Sequence, residues 1–260
     1  METFDYNKYE ADRFSAKMYL ETFAFDLNNS FEPSANKEIE KRNQKINELN
    51  RKIEKRNQEI EKLNNNYSQE TKRKTEQKII QIENWISNYY IDIEYMYDEV
   101  WALIEMKIIY AFKFLEINIK KLVSPIFSEA KTKDFYKWDK LNSFLQGKNI
   151  RPYELEGYQE VTQLKNINNS LKHSDQFNER IKKQIPEFKD KNNITSSDLN
   201  SFYLRIKDFP RIYLNELAYA ILKELYEFDE QKINKIADNI AYRMDKNDAK
   251  LLITAIKSKY

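Results

Sequence analysis

The sequence IEKRNQKINELN at residues 39–50 recurs as IEKRNQEIEKLN at residues 53–64, so a nearly identical segment returns after 14 residues, or two heptads. Isoleucine fills the a positions of these heptads and leucine fills alternate d positions, namely Ile39, Ile46, Ile53, Ile60, Leu49 and Leu63. Apolar residues at a and d are typical of helices that pack along a narrow seam, although Arg42 and Arg56 at the remaining d positions weaken it. The repeat therefore predicts a long helix with a coiled-coil-like seam.

The partner of this seam is left open by the sequence. One interpretation is a dimerising or partner-binding arm, and pairing between chains favours a homodimer. The other is a helical hairpin that folds onto its own chain, with Asn64, Asn65 and Asn66 as the turn. Both interpretations require a helix, and they differ only in what covers it.

Glycine and proline are scarce, which extends the helical prediction to the whole chain. Of 260 residues, 2 are Gly and 5 are Pro. Sheets, sandwiches and barrels need many tight turns with positive φ, and glycine supplies most of them. Hydrophobic residues amount to 41% and charged residues to 33%, which is typical of a soluble, folded protein with a buried core. We therefore predict an all-α protein.

Composition also excludes several classes of chemistry. The chain has 0 Cys, which excludes disulfides, thiolate nucleophiles and iron–sulfur clusters. Its 1 His excludes metal sites that need two histidines. Neither glycine lies in a phosphate-binding loop. We predict no metal and no cofactor.

Charge and hydropathy limit the partners. The 44 basic and 42 acidic residues leave a net charge of +2, so any contact with nucleic acid depends on local patches. No stretch approaches the roughly 20 apolar residues that cross a bilayer. The first residues, METFD, do not begin a secretory signal. We expect a cytoplasmic protein without membrane contact.

Breakers and capping signals divide the chain into elements. Residues 5–28 predict an amphipathic helix, and residues 36–124 contain neither Pro nor Gly, which permits very long helices. Gly147, Pro152 and Gly157 mark the main loop region.

The last quarter of the chain is also predicted to be helical. Residues 197–228 predict a helix that follows a capping box of Thr195 and Asp198 and is kinked at Pro210. Two short amphipathic helices are predicted to complete the chain, at about 229–244 and 247–258.

Residues 85–122 are too apolar for a surface helix and predict the central core element. Glu94, Asp98 and Glu105 fall along one side of this helix. Helical-bundle metal sites pair such carboxylates with histidines, which are missing here. The preferred interpretation is an acidic face that pairs with a basic helix or with water.

The single histidine lies in VTQLKNINNSLKHSD, residues 161–175. On a helix, Lys165, Asn169 and His173 stack at i, i+4 and i+8, beside a face formed by apolar residues. Asn168 falls within the apolar arc, where a buried amide needs partners. Histidine titrates near neutral pH, so the row indicates a small polar site. The alternative is a purely structural histidine near a helix end. The apolar face is composed of Val161, Leu164, Ile167 and Leu171.

Residues 165–174, KNINNSLKHS, resemble the signature helix of HEPN-like domains, an all-α family found in many bacterial toxins and antiviral ribonucleases. The family carries Arg, a polar residue and His, and divergent branches show a pattern like Arg-x-x-Asn-Asn-x-x-Lys-His-Ser. Here Lys165 stands in place of the Arg, and seven residues separate it from His173. Residues 111–120 are similar to the long second helix of such domains, and residues 203–225 to the helix that closes the bundle.

The resemblance implies a layout and an activity. Residues 85–226 would form an HEPN-like helical bundle, residues 1–84 an N-terminal helix plus a coiled-coil-like arm, and residues 227–260 a helical extension. Family members cleave RNA without a metal. This implies His173 as the catalytic acid or base, Lys165 as the group that stabilises phosphate charge and Asn169 as an orienting group.

The resemblance also implies partners. The family's site is usually composed of two such helices across a homodimer, and an antitoxin or another defence-system protein is a possible partner. Residues 161–183 carry a local basic excess, from which we select as candidate RNA-binding residues Lys172, Arg180, Lys182 and Lys183. A solvated helix face is the alternative explanation of this charge.

Two functional hypotheses follow. The first is a metal-independent endoribonuclease of a toxin or phage-defence system. The second is a non-catalytic HEPN-like or coiled-coil module that binds RNA, a nucleotide or a protein partner and dimerises.

Overall fold

The computed structural model describes residues 8–23, 27, 30–65, 72–135, 137–173 and 177–259. Helix accounts for 82% of this structure and no strand occurs in the described residues, which confirms the all-α prediction. The α-helices are α1 (Lys8–Thr22), α2 (Phe31–Asn65), α3 (Lys72–Val123), α4 (Trp138–Gln146), α5 (Tyr158–His173), α6 (Glu179–Gln184), α7 (Ser196–Ile206), α8 (Phe209–Tyr226), α9 (Glu230–Ala241) and α10 (Lys246–Lys257). Short 3-10 helices cover Thr132–Asp134, Pro152–Glu154 and Pro186–Phe188.

The chain divides into two compact units, each assembled from separate stretches of sequence. Unit 1 takes its described residues from 1–28, 114–161 and 208–260. Unit 2 takes its described residues from 29–113 and 162–207. The candidate site on α5 therefore belongs to unit 2 from residue 162 onward.

Unit 1 is held together by α1, α8 and a cluster of aromatic rings. Helix α1 packs against α8, and the Tyr19 hydroxyl donates a hydrogen bond to the carbonyl oxygen of Lys121 at 2.8 Å. The rings of Trp138, Tyr158 and Tyr213 lie with their centroids 6.2 to 6.4 Å apart. These contacts join the start of α5 to α4 and α8.

Gly157 sets the backbone just before α5. Its φ of +80° lies in the left-handed region, where a residue with a Cβ is strained. A Cβ here would also approach the carbonyl oxygen of Phe209 to 3.3 Å. Glycine at this position therefore allows α5 to begin close against α8.

Unit 2 is built around the middle of α3. One apolar cluster joins α3 to α5, α6, α7 and the 3-10 helix Pro186–Phe188. Its fully or almost fully buried members include Val100, Ile104, Ile108, Leu164, Ile167, Phe188, Leu199, Phe202 and Ile206. Burial of a side chain of this size contributes roughly 1.5–3 kcal/mol, so this cluster fixes α5 in place.

The heptad seam of α2 packs against α3 of the same chain. Ile46, Leu49 and Ile53 are buried together with Ile93, and three half-buried residues of α3 complete the cluster: Ile86, Tyr89 and Met96. Of the two interpretations of the repeat, the structure shows the hairpin. The seam is therefore already covered within the described residues, and it no longer supports a homodimer.

The arginines at the d positions also contact α3. Arg42 donates from Nε to Glu99 Oε2 at 3.0 Å and pairs with Glu38. Arg56 places its guanidinium carbon 4.5 Å from the centroid of the Trp85 ring, a cation–π contact. The two arginines that would weaken a coiled coil between chains thus contact α3 within the hairpin.

The turn of this hairpin was predicted at Asn64, Asn65 and Asn66. This is wrong for Asn64 and Asn65, because helix α2 continues through Asn65. Asn66 lies outside the described residues.

Several predicted helix ends agree with the structure. The predicted helix 5–28 corresponds to α1, which ends earlier than predicted, at Thr22; residues 5–7, 24–26 and 28 lie outside the described residues. The capping box is present, because the Thr195 side chain accepts from the Asp198 amide while the Asp198 carboxylate accepts from the Thr195 amide. The last two helices occur as α9 and α10.

The predicted continuous helix 197–228 is wrong at one place. The chain forms two helices, α7 ending at Ile206 and α8 beginning at Phe209, instead of one helix with a kink. Pro210 lies in the first turn of α8, where its missing amide hydrogen costs no hydrogen bond. A proline at the start of a helix is favourable, and here it begins a new one.

Among the described residues, no helix has both the length and the apolar composition needed to cross a membrane.

The intrachain seam gives a stability prediction. Ile53→Ala should lower the free energy of unfolding by about 2–5 kcal/mol, because it leaves a cavity between α2 and α3. Urea unfolding followed by circular dichroism measures this loss. The exposed Lys55→Ala is the control and should change stability by less than about 0.5 kcal/mol.

Light scattering then tests where the seam pairs. The Ile53→Ala variant should keep the oligomeric state of the wild type, because Ile53 contacts its own chain. A variant that dissociates from a wild-type dimer would contradict the hairpin.

Candidate functional site

Helix α5 presents one buried face and one polar face. Val161, Leu164 and Ile167 are completely buried, and Leu171 packs partly against the unit 2 core. The four apolar positions that the sequence assigned to one side therefore face the protein interior. This burial determines which side of α5 meets solvent.

Lys165, Asn169 and His173 form a row on the other side of α5. Consecutive members are four residues apart, which is a rise of about 6 Å along the helix. Lys165 is half-buried, whereas Asn169 and His173 are exposed. We call these three residues the α5 row. The helix brings together the residues that the sequence selected, on a face that a ligand can reach.

Asn168 contacts this row from the buried side of α5. It is 1% exposed, and its Nδ2 donates to Asn169 Oδ1 at 3.3 Å. Its own Oδ1 is buried and has no hydrogen-bond donor among the described residues. The buried amide predicted from the helical periodicity thus finds one partner, and that partner is a member of the α5 row.

His173 is the last residue of α5. It is exposed, and no described residue forms a hydrogen bond or ion pair with it. A general acid or base is commonly oriented by a further polar group, and in the described residues such a group is absent.

The four predicted RNA-binding residues differ in their surroundings. Lys172, Arg180 and Lys183 are exposed, on α5 and α6. Lys182 is half-buried, with Nζ 3.3 Å from Glu179 Oε1 and donating to the carbonyl oxygen of Asn192 at 3.4 Å. Three of the four are therefore accessible to solvent, and Lys182 also contacts the segment before α7.

An ion pair that the sequence analysis did not identify also binds a side chain of α5. Arg205 on α7 donates from Nε and Nη2 to the two carboxylate oxygens of Glu187, at 2.6 and 3.0 Å. Its Nη2 also donates to Gln163 Oε1 on α5 at 3.0 Å. Burial raises the pKa of Glu187, but the hydrogen bonds from Arg205 and the backbone outweigh it, so the pKa is lowered. These partners are far apart in sequence, and no local pattern predicts them.

A second polar cluster surrounds the buried Lys107 of α3. Lys107 is 2% exposed, and its Nζ donates to Asn36 Oδ1 at 2.8 Å and to Asn200 Oδ1 at 3.4 Å. The ammonium also lies 4.2 Å from the centroid of the Tyr203 ring. Desolvation lowers the pKa of Lys107, while the charge of Glu32 acts in the opposite direction. Its two hydrogen-bond partners lie 71 and 93 positions away in the sequence, so no local pattern predicts this cluster.

The acidic stripe predicted on α3 does not form a metal site. In the described part of the chain, no group of three or more His, Asp or Glu side chains is placed to hold a metal ion. Glu105 accepts a hydrogen bond from Trp101 Nε1 at 2.7 Å, and Glu94 and Asp98 are exposed.

Comparisons with protein-family models, with curated proteins and with solved structures gave no match for this chain.

The buried Lys107 gives a pH prediction. Its folded-state pKa lies below the ordinary value of 10.5. Burial of the charged ammonium therefore destabilises the folded state fully at pH values below the lowered pKa, and this destabilisation diminishes as pH rises through that pKa. Relative to Lys107→Met, the wild type should therefore become more stable as pH rises from neutrality toward 10.5. Urea unfolding of both proteins at several pH values measures the difference.

Lys113→Met, at an exposed position of α3, is the control for the loss of one lysine. A difference between the wild type and Lys107→Met that is constant over this pH range would contradict a desolvated ammonium.

Proposed function

We propose that this chain is an HEPN-like, metal-independent endoribonuclease with the α5 row as its catalytic surface. The observation that carries the proposal is the row itself: a lysine, an amide and the only histidine of the chain share one accessible face of a helix whose other face is in the core. The resemblance to toxin and phage-defence ribonucleases supplies the biological setting, which includes a cytoplasmic location and an antitoxin or another defence-system protein as partner.

The chemistry that this surface supports is an internal transfer on RNA. The 2′-hydroxyl loses its proton to an imidazole, and its oxygen attacks the adjacent phosphorus. The bond from phosphorus to the 5′-oxygen breaks, and that oxygen takes a proton from an imidazolium. The products are a 2′,3′-cyclic phosphate end and a 5′-hydroxyl end. His173 is the proton donor or acceptor in this scheme.

Lys165 and Asn169 act on the phosphate. The ammonium of Lys165 offsets the charge that develops on the phosphate oxygens, although it lacks the bidentate fork of an arginine. Asn169 offers an amide that its contact with Asn168 orients. Lys172, Arg180 and Lys183 extend the positive surface along which the RNA backbone binds, and Lys182 contributes from its half-buried position.

A homodimer completes this scheme. Each chain has 1 His, so a base and a separate acid require the α5 rows of two copies. Because the α2 seam is occupied by α3, this proposal places the association at the α5 surface instead of at the heptads.

A second candidate is a non-catalytic HEPN-like module that binds RNA or a protein partner. The specific observation in its favour is that His173 has no orienting partner among the described residues. In that case the same basic surface binds RNA without cleaving it.

Cleavage assays separate the two candidates. His173→Ala should lower the cleavage rate by about 10²–10⁴-fold with the fold intact, because it removes the proton-transfer group. Lys165→Ala should also slow cleavage, whereas Lys165→Arg should preserve or raise it. Cleavage should persist in a chelator, and mass spectrometry of the products should show the cyclic phosphate.

The control is Lys250→Ala on α10, an exposed lysine outside unit 2, which should cleave like the wild type. Absence of cleavage by the wild type, or equal rates for the wild type and His173→Ala, would exclude the ribonuclease. RNA binding that weakens in Lys172→Ala in the absence of cleavage would favour the second candidate.

A further inference from the structure

A cleft of about 710 Å³ lies in unit 2 beside the acidic stripe of α3. Asp98 and Trp101 line it from α3, Lys182 lines it from α6, and Phe177 lines it from the stretch just before α6. Asn192, Asn193 and Ile194 line it from the segment before α7. Its volume is in the range of sites that hold a nucleoside-sized ligand.

Two aromatic side chains form apolar walls of this cleft, and both are anchored. Trp101 is half-buried against the core of unit 2, and its Nε1 donates to Glu105 Oε1 at 2.7 Å. Phe177 packs on the same core, with its ring centroid 5.2 Å from that of Phe188. Rings that are held in place lose little entropy when a flat ligand stacks on them. Bases of single-stranded RNA bind in this way, by stacking on aromatic side chains.

Asp98 is the acidic side chain that lines this cleft. It is exposed, lies three residues before Trp101 on α3, and forms no ion pair with a described residue. An ionised carboxylate only accepts hydrogen bonds. Guanine offers two adjacent donors, N1–H and the 2-amino group, to such an acceptor. Adenine, cytosine and uracil each place an acceptor next to their donor, and a carboxylate repels that acceptor.

The segment that carries the two asparagines is tethered to α6. The carbonyl oxygen of Asn192 accepts from Lys182 Nζ at 3.4 Å, and Asp190 just before it adopts a left-handed φ of 61°. Asn192 and Asn193 have exposed side chains whose amides both donate and accept. They suit the other edge of a guanine, where N7 and O6 accept.

The cleft lies close in sequence and packing to the α5 row. Phe177 follows His173 by four residues, and Leu171 of α5 packs against the same core as Phe177 and Trp101. We propose that this cleft binds an unstacked guanine of single-stranded RNA, with Trp101 and Phe177 as stacking partners and Asp98 as the acceptor for N1–H and the 2-amino group. This inference rests on the proposed RNA-directed function, and it gives that site a base preference.

Binding measurements on the full chain test the inference without requiring cleavage. The probes are fluorescent 2′-O-methyl oligouridylates with one central guanine, inosine, adenine or cytosine, which lack the attacking 2′-hydroxyl. Fluorescence anisotropy should show the guanine probe binding about 10- to 100-fold more tightly than the adenine or cytosine probe. Inosine lacks the 2-amino group and should lose most of this advantage.

Asp98→Asn should remove the guanine preference, because an amide nitrogen replaces one of the two accepting oxygens. The matched control is Glu94→Gln, which neutralises an exposed carboxylate on the same stripe and outside the lining of the cleft. It should keep the preference. Equal affinity of the wild type for all four probes, a preference that survives in Asp98→Asn, or one lost equally in Glu94→Gln would overturn the inference.

This test and the cleavage assay fail separately. His173→Ala should keep the guanine preference in binding, because His173 does not line the cleft. Cleavage that depends on His173 in a protein without base preference would refute the guanine site and leave the ribonuclease standing. A guanine preference that depends on Asp98, in a protein that never cleaves RNA, would refute the ribonuclease and leave the guanine site standing.

Discussion

The burial of the apolar side of α3 is the constraint on which unit 2 depends. Val100, Ile104 and Ile108 are at most 5% exposed, and α5, α6 and α7 cover them. Earlier in the same helix, Ile93 is covered by the isoleucine seam of α2. An uncovered side chain of this kind costs roughly 1.5–3 kcal/mol, so each surrounding helix is held by the need to exclude water from α3.

The polar surface of α5 is a consequence of that constraint. Because Leu164 and Ile167 must face the core, the helical period turns Asn169 and His173 toward solvent. Asn168 lies at the boundary and is buried, and its Oδ1 has no hydrogen-bond donor within the described part of the chain. Leaving a buried acceptor unpaired costs about 1–3 kcal/mol.

Charged side chains within unit 2 are likewise accompanied by polar or aromatic partners. Lys107 is buried against two asparagine oxygens and the face of Tyr203, and its lowered pKa records the cost of desolvation. Glu105 is satisfied by the indole of Trp101, whereas Asp98, one turn before that indole, remains exposed. Within this stripe, Glu105 thus positions the indole of Trp101, whereas the carboxylate of Asp98 is accessible to a ligand.

Local patterns in the sequence determined the helical class, the capping box at Thr195, the two faces of α5 and the row that contains His173, because each depends on residues within a few turns of one another. The tertiary structure decided that the α2 seam pairs with α3, that Pro210 begins a new helix, and that Lys107 meets Asn36 and Asn200. It also decided that Asp98 and Asn192 line one cleft. Apart from the helix start at Pro210, these features join residues tens of positions apart. A single sequence contains no periodic signal for them, because they depend on how separate helices pack to exclude water from their apolar faces.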